Sequence, residues 1–298
     1  MPYLGELAAL TTALCWAAGS LFFTRAARIT GGFPLNQARI TLAFVVLSGI
    51  LLLTRGTAWA PGAGAAHYGL LALSGLIGLT FGDWGLFRAM ADLGPRVATL
   101  FMTLAPPIAA LLAVPVLGET LGWPGILGMS LTLAGVIWVV RERQPASTIP
   151  RGHRIRGILG GVLGASGQAL GLVLSKLGMA EVIDPLPATA VRMGAATIGV
   201  WILAYTTGRR AGLGVLIRHP EARLATLAAT LVGPVIGVWL SLVAVRHTHA
   251  GIAATLMALT PILVVPMVIL IHRERVSPRA GIGALISVAG VALLFLRG

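Results

Sequence analysis

"ATLFMTLAPPIAALL", residues Ala98–Leu112, returns 155 positions later as "AATLMALTPILVVPM", residues Ala253–Met267. At that constant offset Ala98, Met102, Leu104 and Pro106 meet Ala253, Met257, Leu259 and Pro261. The same offset pairs Glu119 with Glu274, and Ala134-Gly135-Val136 with Ala289-Gly290-Val291. Upstream it pairs Gly82 and Trp84 with Gly237 and Trp239. At a nearby offset Arg39 in "NQARIT" matches Arg192 in "ATAVRM". Shared apolar composition produces isolated identities by chance, but one offset held across several consecutive runs marks two copies of one unit.

Composition says what the unit is made of. The 298 residues are 57% hydrophobic and only 10% charged, with a mean hydropathy of +0.92. A soluble domain carries about 25% charged residues, so this chain lacks the means to cover itself against water. Its apolar residues come in runs of about twenty, the length that crosses the hydrocarbon core as a helix. In lipid each backbone amide must find its partner inside the protein, which helices do within a single segment. A β-barrel would show short alternating strands, whereas these runs are continuous. The expected fold is an all-α membrane protein with ten transmembrane helices, near 4–24, 34–54, 68–88, 95–117, 122–140, 156–176, 186–207, 222–245, 250–271 and 279–297. The rest of the chain is too short for a soluble domain.

Five helices per copy is an odd number, so the second copy must enter the membrane from the opposite face. The chain therefore reads as two inverted five-helix repeats, residues 1–145 and 156–298, joined by a basic cytoplasmic linker at 146–155. Inverted repeats characterise secondary transporters, whose substrate sites lie between the repeats near the bilayer midplane. An inert fused scaffold is the competing reading.

Net charge is +13. In a soluble protein this would suggest nucleic acid; here the arginines mark cytoplasmic loops beside anionic headgroups, and no nucleic-acid partner is expected. Arg25, Arg28, Arg88, Arg96, Arg141, Arg143, Arg151, Arg154, Arg156, Arg209, Arg210, Arg218, Arg223, Arg273, Arg275 and Arg279 follow odd-numbered helices. Only Arg55, Lys176, Arg246 and Arg297 fall on the other side. The positive-inside rule then places both termini outside the cytoplasm, that is, in the periplasm. The single cysteine, Cys15, lies within the first span and permits no intrachain disulfide. No basic region precedes the first apolar run, so helix 1 reads as retained rather than as a signal peptide.

The tryptophan of "ALCWAAGSLFFTRAA", the intrahelical arginine of "NQARITLAF" and the stretch "ATLFMTLAPPIAALLAVPVLGETLGWPGILGMSLTLAGVIWVV" resemble the EamA repeat of the drug/metabolite transporter superfamily. "AATLMALTPILVVPMVILIHRERVSPRAGIGALISVAGVALLFL" resembles it a second time. Its turn "HRERVSP" departs from the usual Gly-Glu form, though Glu274 keeps the acid. The resemblance covers nearly the whole chain and implies a multi-pass permease of the bacterial inner membrane for small metabolites or drugs. Among such permeases the chain looks most like the YddG-like amino-acid exporters.

Several residues are candidates for a substrate path. Trp16 lies about twelve residues into helix 1, far from the headgroup belt that Trp59, Trp123, Trp138 and Trp201 suit. Its indole N–H needs either a carbonyl of a neighbouring helix or a wet cavity. Ser20 follows one turn later on the same face. Asp83 is the acidic residue well inside an apolar run, where a carboxylate handles a proton or substrate, or forms a fixed pair with Arg39 or Arg88. Its partner by offset is Val238, so the two halves differ chemically. Gln168, near the equivalent of Trp16, offers amide donors and an acceptor, or serves as interhelical glue. Arg39 and Arg192, near the starts of helices 2 and 7, are gating or structural charges. Snorkelling or carbonyl pairing is the plainer role for them, with binding of an anionic substrate the alternative.

Trp84, Met102, Thr103, Trp239, Met257 and Thr260 complete the expected cavity, methionine tolerating variable substrate shape. Pro106, Pro107 and Pro261 are candidate hinges. Glu119 and Glu274 lie in turns and are expected to cap the helices that follow them. Close-spaced glycines such as Gly167 and Gly171, or Gly78 and Gly82, suit tight helix approach.

No metal-ligand spacing, Walker motif or nucleophile elbow occurs in the sequence, so no metal, cofactor, direct ATP drive or enzymatic activity is expected. The expected function is secondary export of amino acids or similar small metabolites by alternating access around a central cavity. A multidrug or other-metabolite permease of the same fold, proton-coupled through Asp83, is the alternative. Both repeats lie in one chain, so a monomer is expected to be complete.

Overall fold

The protein is described by a computed structural model that covers residues 3–57, 63–93, 98, 101–141, 151–180, 182–208, 214–263, 267 and 278–295. Trp59, Pro266, Glu274 and linker residues 146–150 lie outside the described residues. Every regular element among the described residues is helical. Six helices are long and apolar enough to cross a membrane: α1 (Leu4–Thr30), α2 (Gly32–Arg55), α3 (Ala65–Leu93), α6 (Arg151–Met179), α7 (Pro185–Thr206) and α8 (Pro220–His247). Four are shorter but apolar: α4 (Ala105–Leu117), α5 (Trp123–Arg141), α9 (Ala250–Leu263) and α10 (Pro278–Phe295).

Glycine rather than charge ends α1, α2 and α4. The first expected span stops near residue 24, but α1 continues to Thr30, carrying Arg25 and Arg28 on its last turns. It stops at Gly31, whose φ of 83° an L side chain rarely adopts. The next helix begins one residue later, so the first reversal is made by this glycine alone. Arginines mark where the chain meets water; their long stems let the helix run on beneath them.

Two features have no signature in the apolar pattern. Residues Leu76–Gly82 of α3 and Leu231–Gly237 of α8 form π-helical turns, at the same 155-residue offset that relates the repeated motifs. Such insertions loosen a helix and recur at functional sites. Secondly, the helical path breaks at Thr103–Leu104 and again at Ala258–Leu259, once more 155 apart. Leu104 N–H donates to Phe101 O at 3.0 Å and Leu259 N–H to Leu256 O at 3.2 Å, both three-residue turns. Pro106, Pro107 and Pro261, the candidate hinges, follow the breaks. They start the resumed helices, where a missing N–H costs no hydrogen bond.

The packing of one half on the other uses glycine throughout. A Cβ on Gly167 would stand 2.8 Å from Gly82 Cα, and one on Gly171 3.0 Å from Gly78 Cα, so α3 and α6 cross backbone to backbone. A Cβ on Gly5 would meet His247 and Thr248, while one on Gly157 would meet Asp92 and Leu93. These are one contact made twice, with residues of α1 and α6 offset by 152 and those of α3 and α8 by 155. Gly128 faces Gly290 and Leu294, and Gly135 faces Gly283 and Ser287, so α5 and α10 run antiparallel. Gly194 faces Phe44, and Trp201 Nε1 donates to Thr41 Oγ1 at 3.1 Å, so α2 and α7 are antiparallel as well. Lipid supplies no hydrophobic drive between helices, so close backbone approach of this kind carries the association.

A central cavity with three charges

Eight helices, all but α5 and α10, line a partly open cavity of about 330 Å³. The π-turns contribute Leu79 from one half and Gly233 and Pro234 from the other. The two broken segments contribute Met102, Thr103 and Pro106, and Met257, Thr260 and Pro261. The irregular backbone thus borders the cavity, and backbone of this kind is tolerated at membrane depth where it is buried in protein or lines a cavity.

Most sequence-predicted residues come together on this wall: Trp16, Ser20, Asp83, Met102, Thr103, Gln168, Met257 and Thr260, with Arg39, Arg192, Pro106 and Pro261. Three do not. Trp84 follows Asp83 by one position and is turned about 100° away from it around the helix. Trp239 is its equivalent in the other half and is 36% exposed on the outer surface. Pro107 is turned away from Pro106 in the same manner. Phe23, Leu86, Phe87, Met90, Leu172 and Met193 also line the cavity. The sequence does not single them out, because in helices apolar on every face nothing separates cavity-facing from lipid-facing side chains.

The polar cluster is built from α1, α2, α3 and α6. Asp83 is 7% exposed. Its Oδ2 lies 3.5 Å from Arg39 Nη2, and its Oδ1 accepts a hydrogen bond from Gln168 Nε2 at 3.1 Å. Arg39 also donates to Asn36 Oδ1 at 2.8 Å, and its guanidinium carbon stands 5.0 Å from the ring centre of Phe23. Phe23 in turn stacks on Phe87 with centroids 5.4 Å apart. The snorkelling role for Arg39 is therefore replaced by a fixed interior pair: the side chain points into the cavity and its charge is met there. Arg192 likewise points inward and is only 3% exposed. Of the alternatives for Asp83, the geometry selects the pair with Arg39; Arg88 instead pairs with Asp92 at 3.3 Å.

Trp16 lies against Gly237, where a Cβ would stand 2.9 Å from indole Cδ1 and Nε1. The indole thus packs on a neighbouring helix and walls the cavity together. Ser20 Oγ donates to Ala17 O at 2.7 Å and Thr260 Oγ1 to Met257 O at 2.8 Å. Both hydroxyls spend their proton on their own helix and present acceptor oxygens inward.

A cluster of ion pairs and hydrogen bonds ties helices of the two halves together. Lys176 Nζ pairs with Glu119 at 2.5 Å and donates to Thr248 O at 2.7 Å, while Thr248 Oγ1 donates to Glu6 at 2.7 Å. Glu119 Oε2 accepts from the backbone N–H of Ala250 at 2.8 Å. The capping expectation for Glu119 is corrected in its target: it caps α9 of the other half, not α5, which follows it. Nearby, Asp184 pairs with Arg55 and Arg246, each at 3.0 Å. Glu119→Ala should remove both the cap and the ion pair, lowering stability by about 1–2 kcal/mol on the scale of a lost N-cap. Thermal melting of the purified protein, beside Glu119→Gln, measures it; an unchanged midpoint would show that the network contributes nothing.

An interior cavity between two related halves of a polytopic helical membrane protein is the plan of a permease. The profile of the EamA-like transporter family matches residues 3–141 and again 155–296. The chain belongs to that family and is a multi-pass membrane transporter of the drug/metabolite transporter superfamily. No curated protein matches its sequence. Among solved structures, 29 chains are similar. One, described only as a crystal structure of protein, superposes with a TM-score of 0.76 at 18% identity, over 100% of this chain and 98% of that one. It speaks for the fold alone.

Proposed function

We propose that this EamA-family permease exports amino acids or similar small metabolites across the bacterial inner membrane, by alternating access around the central cavity. The observation that carries the reading is the cavity's mixed lining: Phe23, Phe87, Met90, Met193 and Met257 supply apolar surface, and Arg39, Asp83, Gln168 and Arg192 supply charged or polar groups. A small molecule with charged groups at one end and an apolar body fits both. About 330 Å³ lies at the small end of the roughly 300–1,000 Å³ usual for ligand pockets.

The rest of the reading has its own support. The antiparallel packing of α5 on α10 and of α2 on α7 supports two inverted halves, 1–145 and 156–298, joined by the basic stretch 146–155, of which 151–155 form the start of α6, with both termini assigned to the outer side from the arginine asymmetry. The matching π-turns and matching breaks give each half the same irregular elements beside the cavity, in keeping with carriers whose sites are formed by discontinuous helices. No contact with a second chain is needed to complete the cavity, which supports a monomer. Asp83 in the wall favours one further reading, a proton-coupled multidrug permease, in which this carboxylate carries the proton.

Release of labelled amino acid from liposomes preloaded with it tests the proposal. Wild-type protein should release it specifically, while Trp16→Ala and Gln168→Ala should slow release about tenfold or more by loss of substrate-positioning contacts. Drug resistance conferred on cells, abolished by Asp83→Asn and without amino-acid flux, would replace this reading with the multidrug one.

A further inference from the structure

The two cavity arginines are equivalent by position but not by company. Arg39 and Arg192 are 153 residues apart, each at the third turn of its helix. Each passes a glycine of the opposite half's π-turn. A Cβ on Gly233 would stand 3.9 Å from Arg39 Nη1, and one on Gly78 3.6 Å from Arg192 Nη2. Glycine at these points leaves room for a guanidinium to reach the cavity.

Arg39 has three partners: Asp83, Asn36 and Phe23. At the positions that the repeat offsets pair with these three stand Val238, Thr189 and Ser175, an alkyl group and two hydroxyls. Thr189 Oγ1 donates to Pro185 O and Ser175 Oγ to Leu172 O, each at 2.7 Å. Among the described residues Arg192 has neither a hydrogen bond nor an ion pair; its buried Nε has no partner, as is also true of Arg39 Nε, whose neighbouring Nη2 is met by Asp83 and Asn36. Asp83 is engaged by Arg39 and Gln168, and its charge reaches Arg192 only from beyond ion-pair distance.

Counting the ionisable side chains on the wall, two arginines face one aspartate, so the empty cavity carries an excess positive charge. A buried guanidinium without a partner is costly. In a transporter the cargo is one group able to supply that partner. We propose that Arg192 is the anion subsite of the cavity, and that the substrate presents a carboxylate to its planar fork. The apolar body then lies along Met193, Met257 and Leu172. A lipophilic cation would meet a like charge here and is disfavoured.

This rests on the reading of the cavity as the substrate site, and its test is binding, so that the two stand or fall separately. Three probes of one shape are compared on the purified full-length protein: phenylacetate, phenylacetamide and phenethylammonium. Wild type should bind phenylacetate about tenfold or more tightly than the amide, the scale of a hydrogen bond to a charged group. Arg192→Gln should bring that preference to about one, whereas Arg192→Lys, keeping charge but not the fork, should retain part of it. The wild-type comparison needs no variant, so a misfolded mutant does not leave the proposal undecided. Equal binding of acid and amide, preference for the ammonium probe, or binding of none of the three overturns the assignment. Carboxylate preference without amino-acid release from liposomes would overturn the export reading and leave Arg192 in place.

Discussion

Asp83→Ala is expected to be among the most damaging single changes in this protein. It removes the counter-ion of Arg39 and the acceptor of Gln168 in one step, leaving two uncompensated guanidiniums around the cavity. Removing one partner of a buried pair typically costs 3–5 kcal/mol, because the remaining charge stays buried and unmet. Here the Arg39 side chain is 19% exposed toward the cavity, so water relieves part of this and about 2–3 kcal/mol is expected. Asp83→Asn keeps the hydrogen bond with Gln168 and should cost less. Neutralising both sides, as Arg39→Gln with Asp83→Asn, should be milder than the sum of the single changes, with a coupling of about 1–3 kcal/mol. Chemical or thermal unfolding of the four proteins gives the cycle. Additive losses would mean that the 3.5 Å contact carries no energy and that Asp83 is free to act as a proton carrier. Strong coupling would make the pair a permanent part of the wall and count against that role.

The sequence discloses the fold further than the site. Helical spans and their duplication follow from run length and from one constant offset, both written in local residue choice. The π-turns are not legible: Leu231–Gly237 contains Pro234, but Leu76–Gly82 has Leu79 there, so no single residue announces the distortion. What the two share is glycine at both ends of a four-residue interval, Gly78 with Gly82 and Gly233 with Gly237, and the sequence alone reads this as ordinary packing. Asp83 and Arg39 are legible as unusual charges, and their pairing as one alternative among others, since a partner across 44 residues of chain has no local signal. Trp84 and Trp239 show the opposite failure. The offset matches them faithfully, but a repeat conserves outward-facing positions as readily as inward ones. Glu119 is recognisable as a cap, yet the helix it caps lies 131 residues away in sequence. Non-local partners are set by packing, which periodicity does not encode.

Gly75→Ala should produce a loss out of proportion to the single methyl group it adds. The Cβ of that alanine would lie 2.3 Å from the carbonyl oxygen of Arg192 and 2.9 Å from its Cα. Both are backbone atoms of α7, so no side-chain rotation relieves the clash and the two helices must part. The displaced residue is the one whose guanidinium reaches into the cavity, so the change acts on packing and on the proposed anion subsite together. Overpacking of this kind costs typically 1–3 kcal/mol, and the upper part of that range is expected because helix backbones yield less than side chains. Gly69, six residues earlier on the same helix, has nothing within 4 Å of a Cβ. Gly69→Ala should therefore be neutral or stabilising by up to about 1 kcal/mol, alanine being the better helix former. The two variants have the same composition and net charge, so their difference in melting temperature and in phenylacetate affinity isolates the contact. If Gly75→Ala melts with Gly69→Ala and binds the probe as wild type does, α3 does not hold α7 at the distance described, and Arg192 is not positioned by that crossing.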